Sequence, residues 1–386
     1  MSDSKIPVLG RQTQRRNHTN DQWLSVINKV IENVAMKLKR REIRGSSSCS
    51  VQIADLLRTI IKEGEFNTVQ EILDLIRTVG KRLASVHPIE VAIGNIVRRV
   101  LMIIRREALA LSKEQSGDHK EIDDSQVEKL EFSRQLSSIL DDDHHLAQTE
   151  TKSNANTQDP IIPQLCSLLE SEITEVMDEI KTVSETIADS ASDHIHEREV
   201  ILIHGYSSTV LAFLKQAHQD RSFSVICAES APSFEGHRQA LALAQLKIEA
   251  TVITDSAVFA MMPHVHKVIM GVHAIMPNGG VVAHTGAMNI AVAAKYYQKP
   301  LVVLSGIHKL CPLYAYDQDT FNEHNAPSQV LPFADEFAEE VNILNPALDY
   351  VVPEYVSLFI TNNGCHAPSY VYRWLAEYYH QEDYDL

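Results

Sequence analysis

The apolar positions divide the chain into a first part with helical spacing and a second part in which short apolar runs alternate with helices. Between residues 21 and 111, apolar side chains recur every three or four positions, with Gly45, Gly64 and Gly80 as predicted breaks. This spacing predicts a domain of several antiparallel helices. Residues 1–20 are polar and basic and lack such a pattern, which predicts a flexible arm.

The middle of the chain predicts an insert followed by one long helix. Residues 112–160 are rich in Ser, Asp, Gln and Thr and poor in aromatic residues, which is typical of a mostly disordered acidic segment. Residues 161–197 complete the helical domain, with a helix over 161–192 that has an apolar row on one face and glutamates on the other. This helix either packs on the N-terminal bundle or forms a seam with a second chain.

Residues 198–386 predict a Rossmann-like α/β domain. Apolar runs separated by helical stretches indicate a parallel sheet covered on both faces. The predicted strands are Val200–His204, Ser224–Ala228, Ala250–Thr254, Lys267–Met270 and Leu301–Leu304. The predicted helices between them are Ser208–Ala217, Phe234–Leu246, Ser256–Met262 and Ala287–Tyr297. Residues 308–386 predict loops and a last aromatic-rich helix, Ser369–Tyr379, that packs either in the core or against a partner.

Composition excludes several classes of function. The net charge of −16 argues against direct, non-specific binding of nucleic acid, which depends on Lys and Arg. The five cysteines are widely spaced without a CxxC pair, so neither a disulfide framework nor a zinc site is expected. No apolar signal core or run of roughly 18 apolar residues is present. We therefore expect a cytosolic protein without membrane contact, metal or cofactor.

Candidate chemistry lies where the predicted strands end. The loop after the first strand contains one glycine, Gly205, rather than a GxGxxG pattern, so a dinucleotide site is not favoured. The loop after the second strand, residues 229–232, is either a site loop with a carboxylate or a helix start. His273 and His284 are candidate bases or metal ligands, but no nearby carboxylate orients either ring. Two further pairs have a one-apart metal-ligand spacing, His194 with His196 and His264 with His266.

A helix over residues 94–109 carries two rows of arginine. Arg98 and Arg99 are followed seven positions later by Arg105 and Arg106, beside an apolar stripe. Guanidinium rows suit a phosphorylated or acidic partner, because arginine pairs bidentately with such groups. The alternative is a solvated face with intrachain salt bridges. We take these four residues as candidate partner-binding residues.

Three stretches of the α/β part resemble one protein family. They are Val200–Ala217, Val225–Gln245 and Val268–Gly306, which includes the segment VIMGVHAIMPNGGVVAHTGAMNIAVAAKYYQKPLVVLSG. The family comprises the alpha, beta and delta regulatory subunits of eukaryotic translation initiation factor 2B and the isomerases of methylthioribose 1-phosphate and ribose 1,5-bisphosphate. The resemblance covers nearly all of residues 198–306 and, with the helical domain, most of the chain.

The positions that match the isomerases' catalytic groups hold other residues here. The resemblance places Gly205 at the catalytic cysteine, His273 at the catalytic aspartate and Ala231 at a phosphate-binding arginine. Ala283 and His284 replace an Asn-Lys pair. A single lost acid–base group typically costs a factor of about 10²–10⁴ in rate. A joint loss predicts a degenerate site without catalysis.

The resemblance implies a non-catalytic regulatory subunit of a guanine-nucleotide exchange complex. Its partners would be the alpha, delta, gamma and epsilon subunits, with exchange activity in gamma and epsilon and pairing to delta through the α/β domain. The alpha, beta and delta core would bind initiation factor 2 and sense phosphorylation of that factor's alpha subunit under stress. Two alternatives are a live sugar-phosphate isomerase and a small-molecule sensor that keeps the pocket.

Overall fold

The computed structural model describes residues 18–43, 45–115, 160–315, 322–335, 338 and 340–386. Residues 1–17 of the predicted arm and 116–159 of the predicted insert lie outside the described residues. The first described helix begins at His18 and the fourth runs to Gln115. Helical structure therefore extends into the end of the predicted arm and into the start of the predicted insert.

The N-terminal part is a helical bundle built around one apolar core. Its helices are α1 (His18–Lys39), α2 (Ser46–Glu63), α3 (Val69–Val86), α4 (Val91–Gln115), α5 (Ile162–Asp189) and the short α6 (Ala191–His194). The start of α3 is fixed locally, because the Thr68 side chain accepts from the Glu71 amide while the Glu71 carboxylate accepts from the Asn67 amide. This reciprocal bonding satisfies amides that a helix start leaves free.

Two of the three predicted glycine breaks coincide with helix ends, and the third is wrong. Gly45 precedes α2 and Gly64 follows it. Gly80 instead lies inside α3, where an added Cβ would stand 2.4 Å from Val97 Cγ1 on α4. This glycine therefore lets two helices approach closely, which a sequence pattern cannot distinguish from a stop.

The long helix α5 connects the two parts of the chain. Its apolar row from Leu165 to Ile180 is buried in the bundle core, and Val183 and Ile187 continue into the core of the α/β part. At roughly 1.5 Å per residue the helix is about 42 Å long. Of the two interpretations left open by the sequence, intramolecular packing is the one observed.

The fold class is confirmed, since the second part is an α/β domain with a mainly parallel sheet. Within the described residues the main sheet has seven strands in the order β10-β9-β7-β4-β1-β2-β3, and a small antiparallel sheet has the order β5-β6-β8. The strands are β1 (Val200–His204), β2 (Ser224–Ala228), β3 (Glu249–Ile253), β4 (Lys267–Gly271), β5 (Ala274–Ile275), β6 (Val281–His284), β7 (Leu301–Leu304), β8 (Leu348–Val351), β9 (Leu358–Thr361) and β10 (Gly364–His366). The helices are α7 (Ser208–Asp220), α8 (Glu235–Gln245), α9 (Val258–Met261), α10 (Ala287–Tyr296) and α11 (Val371–Tyr378).

Helices cover both faces of the main sheet. Along β1, Ile201 and Ile203 pack in the cluster that contains α5 and α7, whereas Leu202 packs in the cluster that contains α10 and α11. This alternation follows the two-residue period of a strand. Trp374 of α11 is fully buried, so the last helix packs in the core of this chain.

The prediction of loops over most of residues 308–386 missed three strands, β8, β9 and β10. These strands are only three or four residues long, and Pro353 lies between β8 and β9. Their stability comes from distant neighbours, since β9 pairs with β7 and β8 pairs with β6. A local hydrophobic period is too short to reveal such strands.

Candidate functional site

The candidate site is the edge of the sheet where the parallel strands end. There β1 leads into Gly205, β2 into residues 229–232, and β4 into His273. In open α/β sheets ligands bind at this edge. The fold thus brings together the three degenerate positions that the family resemblance identified.

Gly205 lies in a left-handed conformation against an imidazole. Its φ is 66°, and its amide donates a hydrogen bond of 2.9 Å to Ser230 Oγ. An added Cβ would lie 3.2 Å from His284 Cδ2. The space next to the former cysteine position is therefore occupied by the His284 ring, and any side chain at Gly205 is strained.

A buried His–Ser pair that the sequence did not reveal lies beside Gly205. Ser230 Oγ is 3.1 Å from His204 Nδ1, and His204 Nε2 is 2.9 Å from the Thr285 carbonyl oxygen. Burial lowers the pKa of His204, which favours a neutral ring that donates to Thr285 and accepts from Ser230. Ser230 is only 5% exposed, so the pair holds two loops together rather than presenting a nucleophile.

The carboxylates of two aspartates accept hydrogen bonds from backbone amides at this edge. Asp255 accepts hydrogen bonds from the Ser230 amide at 3.0 Å and the Ala231 amide at 2.7 Å. Asp349 accepts from the Gly286 amide at 2.7 Å and from the amide of Met288, at the N-terminus of α10. Loop amides and helix N-termini are favourable places for phosphate. Carboxylates of this chain thus already pair with amides of the kind that bind phosphate.

His273 links the sheet edge to the helical bundle. Its Nε2 lies 3.0 Å from the Ile89 carbonyl oxygen, in the turn before α4. Next to it, half-buried Lys309 donates to the Val272 carbonyl oxygen at 2.9 Å, and burial lowers the pKa of this lysine. The residue at the former aspartate position thus makes a contact between the two parts of the chain.

Of the two histidine pairs with metal-ligand spacing, His194 and His266 each contact another group of this chain. His194 Nε2 is 3.1 Å from Cys365 Sγ, and His266 Nδ1 accepts from the Val200 amide at 3.0 Å. Within the described residues, no group of three or more His, Cys, Asp or Glu side chains that could hold a metal ion is present. The loop over residues 229–232 is also not a helix start, because α8 begins at Glu235 after the left-handed Phe234.

The arginines on α4 make intrachain contacts, and two of them, Arg98 and Arg105, bind the C-terminal residues. Arg98 is 4% exposed and donates to the carbonyl oxygens of Asp383 and Tyr384, and burial lowers its pKa. Arg105 Nε donates to Asp383 Oδ2 at 3.1 Å. Arg98 is therefore a structural anchor rather than a surface contact, which corrects its assignment as a partner-binding residue.

The other two arginines pair with α5. Arg99 Nη2 is 2.6 Å from Glu179 Oε2, and its guanidinium carbon lies 4.8 Å from the centre of the Tyr378 ring. Arg106 Nη2 is 2.8 Å from Glu172 Oε2, and its side chain is 59% exposed. Of the four predicted residues, Arg106 is the most accessible to a partner.

The fold and site define a class: a Rossmann-like domain joined to a helical bundle, with carboxylates of the chain paired to backbone amides at the edge of the sheet. The chain belongs to the initiation factor 2 subunit family, whose model matches residues 42–368. Residues 367–386 predict similarity to the beta subunits in particular. That prediction is confirmed by 42% identity to translation initiation factor eIF2B subunit beta of Dictyostelium discoideum, over 91% of this chain and 95% of the relative.

Other relatives agree. The Schizosaccharomyces pombe eIF2B subunit beta is 35% identical, over 92% of this chain and 96% of the relative. The crystal structure of eIF2B beta from Chaetomium thermophilum superposes with a TM-score of 0.69 at 28% identity, covering 94% of this chain and 97% of that one. The ribose 1,5-bisphosphate isomerase of Thermococcus kodakarensis is 25% identical, over 89% of this chain and 93% of the relative. The comparisons thus confirm a translation initiation factor 2B subunit rather than an isomerase.

None of the described helices combines the length and the apolar content needed to cross a bilayer.

Proposed function

We propose that this chain is a non-catalytic regulatory subunit of the translation initiation factor 2B complex, the guanine-nucleotide exchange factor for initiation factor 2. In this role it helps bind initiation factor 2 in the cytosol and sense phosphorylation of that factor's alpha subunit. The observation that carries the proposal is the edge of the sheet. There Asp255 and Asp349 accept hydrogen bonds from loop and helix-start amides, and the His284 ring lies against Gly205.

The exposed apolar side of the α/β domain supports pairing with a related subunit. Phe259 of α9 and Tyr296 of α10 are 47% and 70% exposed with ring centroids 5.2 Å apart, and Val252, 44% exposed, lies on the edge strand β3. Exposed apolar patches and open sheet edges mark surfaces that another chain covers. A Chaetomium thermophilum structure titled as a tetrameric eIF2B-beta2-delta2 complex matches with a TM-score of 0.66 and 27% identity, over 95% of this chain and 100% of that one. We propose that the delta subunit covers this side, with alpha, gamma and epsilon completing the assembly.

Pairing is tested by Phe259→Asp in co-expression with the delta subunit, followed by size-exclusion chromatography with mass measurement. A buried carboxylate in an apolar interface is costly, so the variant should lose the delta subunit. Phe333→Asp is the matched control, because Phe333 is equally aromatic and 73% exposed outside this side. Retention of delta by both variants would remove the pairing proposal.

Sensing is tested by charge reversal on α4. Arg106→Glu should weaken binding of initiation factor 2 phosphorylated on its alpha subunit, because Arg106 is 59% exposed and lies outside the Asp383 anchor. Lys62→Glu is the control, because Lys62 is 60% exposed and also pairs with α5, through Glu170 at 2.6 Å. Unchanged affinity of Arg106→Glu at several salt concentrations contradicts a role for this arginine.

The whole proposal is tested by nucleotide exchange. Release of labelled GDP from initiation factor 2 is measured with complexes assembled with and without this chain. We expect loss of inhibition by phosphorylated factor when the chain is absent. Turnover of ribose 1,5-bisphosphate or methylthioribose 1-phosphate that His273→Ala abolishes would instead establish the isomerase alternative.

A further inference from the structure

A cleft of about 530 Å³ lies between α4, α5 and α11, away from the sheet edge. Two ion pairs cross it. Arg106 pairs with Glu172, and Arg99 pairs with Glu179. Both helices advance by seven residues between the two pairs, in opposite directions, so the pairs are successive bridges between antiparallel helices.

Between these two ion pairs, α5 carries a carboxylate that has no cationic partner on α4. Glu175 lies midway along α5, and the α4 residues opposite it in the cleft wall are Met102 and Ile103. Within the described residues, the Glu175 side chain is exposed and its carboxylate has no hydrogen bond or ion pair, and the same holds for the carboxylate of Glu377 on α11. The regular pattern of bridges is thus interrupted where α4 supplies apolar side chains instead of an arginine.

The charges and apolar side chains that line the cleft indicate which kind of ligand fits it. Four glutamates and two arginines line it, and both arginines are already paired. The floor is apolar, with Ile103 and Val176 buried, and the Tyr378 ring forms part of the wall. A long basic side chain fits this combination, because its aliphatic stem covers apolar surface while its charged end meets carboxylates. A phosphate group would face an excess of two negative charges.

We propose that this cleft, which we call the α4–α5 cleft, binds a lysine or arginine side chain from a basic segment of a partner protein. The cation pairs with Glu175 and Glu377 between the two existing bridges. The stem lies over Met102, Ile103 and Val176. This inference goes beyond the proposed function, and it holds for whichever partner carries the basic segment.

The test is direct binding of a probe peptide to the full chain. The probe is fluorescein-labelled Gly-Arg-Leu-Leu-Arg-Gly, with Gly-Glu-Leu-Leu-Glu-Gly as the charge-reversed peptide, followed by fluorescence anisotropy. Glu175→Gln with Glu377→Gln should weaken binding of the basic probe about tenfold, since two surface ion pairs are lost. Binding should also weaken from about 0.1 M to 1 M salt.

The matched control is Glu185→Gln with Asp189→Asn. Both residues are exposed acids of α5 that do not line the cleft, so the control removes the same number of charges from outside it. This control should bind the basic probe within about twofold of the parent chain. Circular dichroism of both double variants checks that the helices are retained.

Three results overturn the proposal. They are equal binding of the two peptides, no effect of the cleft substitutions, and tighter probe binding once residues 1–17 are deleted, which would make this chain's own basic arm the occupant. Because the assay needs neither delta subunit nor exchange activity, its failure is distinguishable from failure of the proposed function.

Discussion

Asp383 provides the sharpest test of how the C-terminal residues are held. The carboxylate is fully buried and accepts from Arg77 Nη2 of α3 at 2.6 Å and from Arg105 of α4 at 3.1 and 3.3 Å. Nearby, Leu386 packs against the core of the helical bundle. These contacts tie the end of the chain to two helices nearly 300 residues earlier in the sequence.

The expected cost of removing this carboxylate follows from its surroundings. Breaking a buried ion pair typically costs about 3–5 kcal/mol, because the partner charge is left without compensation. Arg77 and Arg105 are each 24% exposed in their side chains, so water can partly replace the carboxylate. We therefore expect Asp383→Ala to lower the free energy of unfolding by about 3 kcal/mol. Asp383→Asn, which keeps one acceptor oxygen, should lower it by roughly half as much.

The assay is urea unfolding followed by circular dichroism, with Asp385→Asn as the control. Asp385 is exposed two residues further along, so its substitution removes the same charge from the same segment. The control should change the free energy of unfolding by less than about 0.5 kcal/mol. If Asp383→Ala is as stable as this control, the assigned anchor is wrong.

The same contact predicts a dependence on pH. Burial by itself raises the pKa of Asp383, but the hydrogen bonds from Arg105 and Arg77 outweigh it and lower the pKa below its usual value. A lowered carboxylate pKa contributes stability that is present above the usual aspartate range and is lost as the pH falls through the folded-state pKa. The difference in stability between the parent chain and Asp383→Asn should therefore shrink in acid and persist at neutral pH.

Two further predictions concern the sheet edge. Gly205→Cys should lower the free energy of unfolding by about 1–2 kcal/mol, because φ is 66° and His284 is close, and it should not produce isomerase turnover even when combined with His273→Asp. Detectable conversion of ribose 1,5-bisphosphate by that double variant would contradict the non-catalytic assignment of this edge. Asp255→Ala should cost about 1–3 kcal/mol by freeing the Ser230 and Ala231 amides, and inorganic phosphate should then raise its melting temperature more than that of the parent chain. An equal response of both proteins to phosphate would show that the aspartate does not occupy an anion position.

The resemblance identified the degenerate positions, but their present contacts were not predictable. Gly205, Ala231 and His273 could be matched to family positions because each lies in a recognisable stretch after a strand. Asp255 binds the Ala231 amide from 24 residues away, and Asp349 binds the Gly286 amide at the same edge from 63 residues away. No pattern within one stretch indicates which distant carboxylate will fill a given pair of amides.

The sequence by itself determined the elements with strong local periods. The bounds of β1, β2 and β7 were predicted to the residue, and the apolar row of α5 has the predicted spacing. Such elements are encoded by residues within a few positions of each other. The helical bundle and the alternation of strands and helices follow from the same short-range signals.

Only the tertiary structure decided which of two chemically reasonable partners each charged or apolar group takes. The arginines of α4 suit a phosphorylated partner by type, yet Arg98 and Arg105 bind the C-terminal residues, and Arg99 binds α5. Trp374 could equally have served an interface, but it is buried in this chain. The physical reason is that ion pairing and burial depend on which surfaces meet, and that is fixed by packing between segments far apart in sequence.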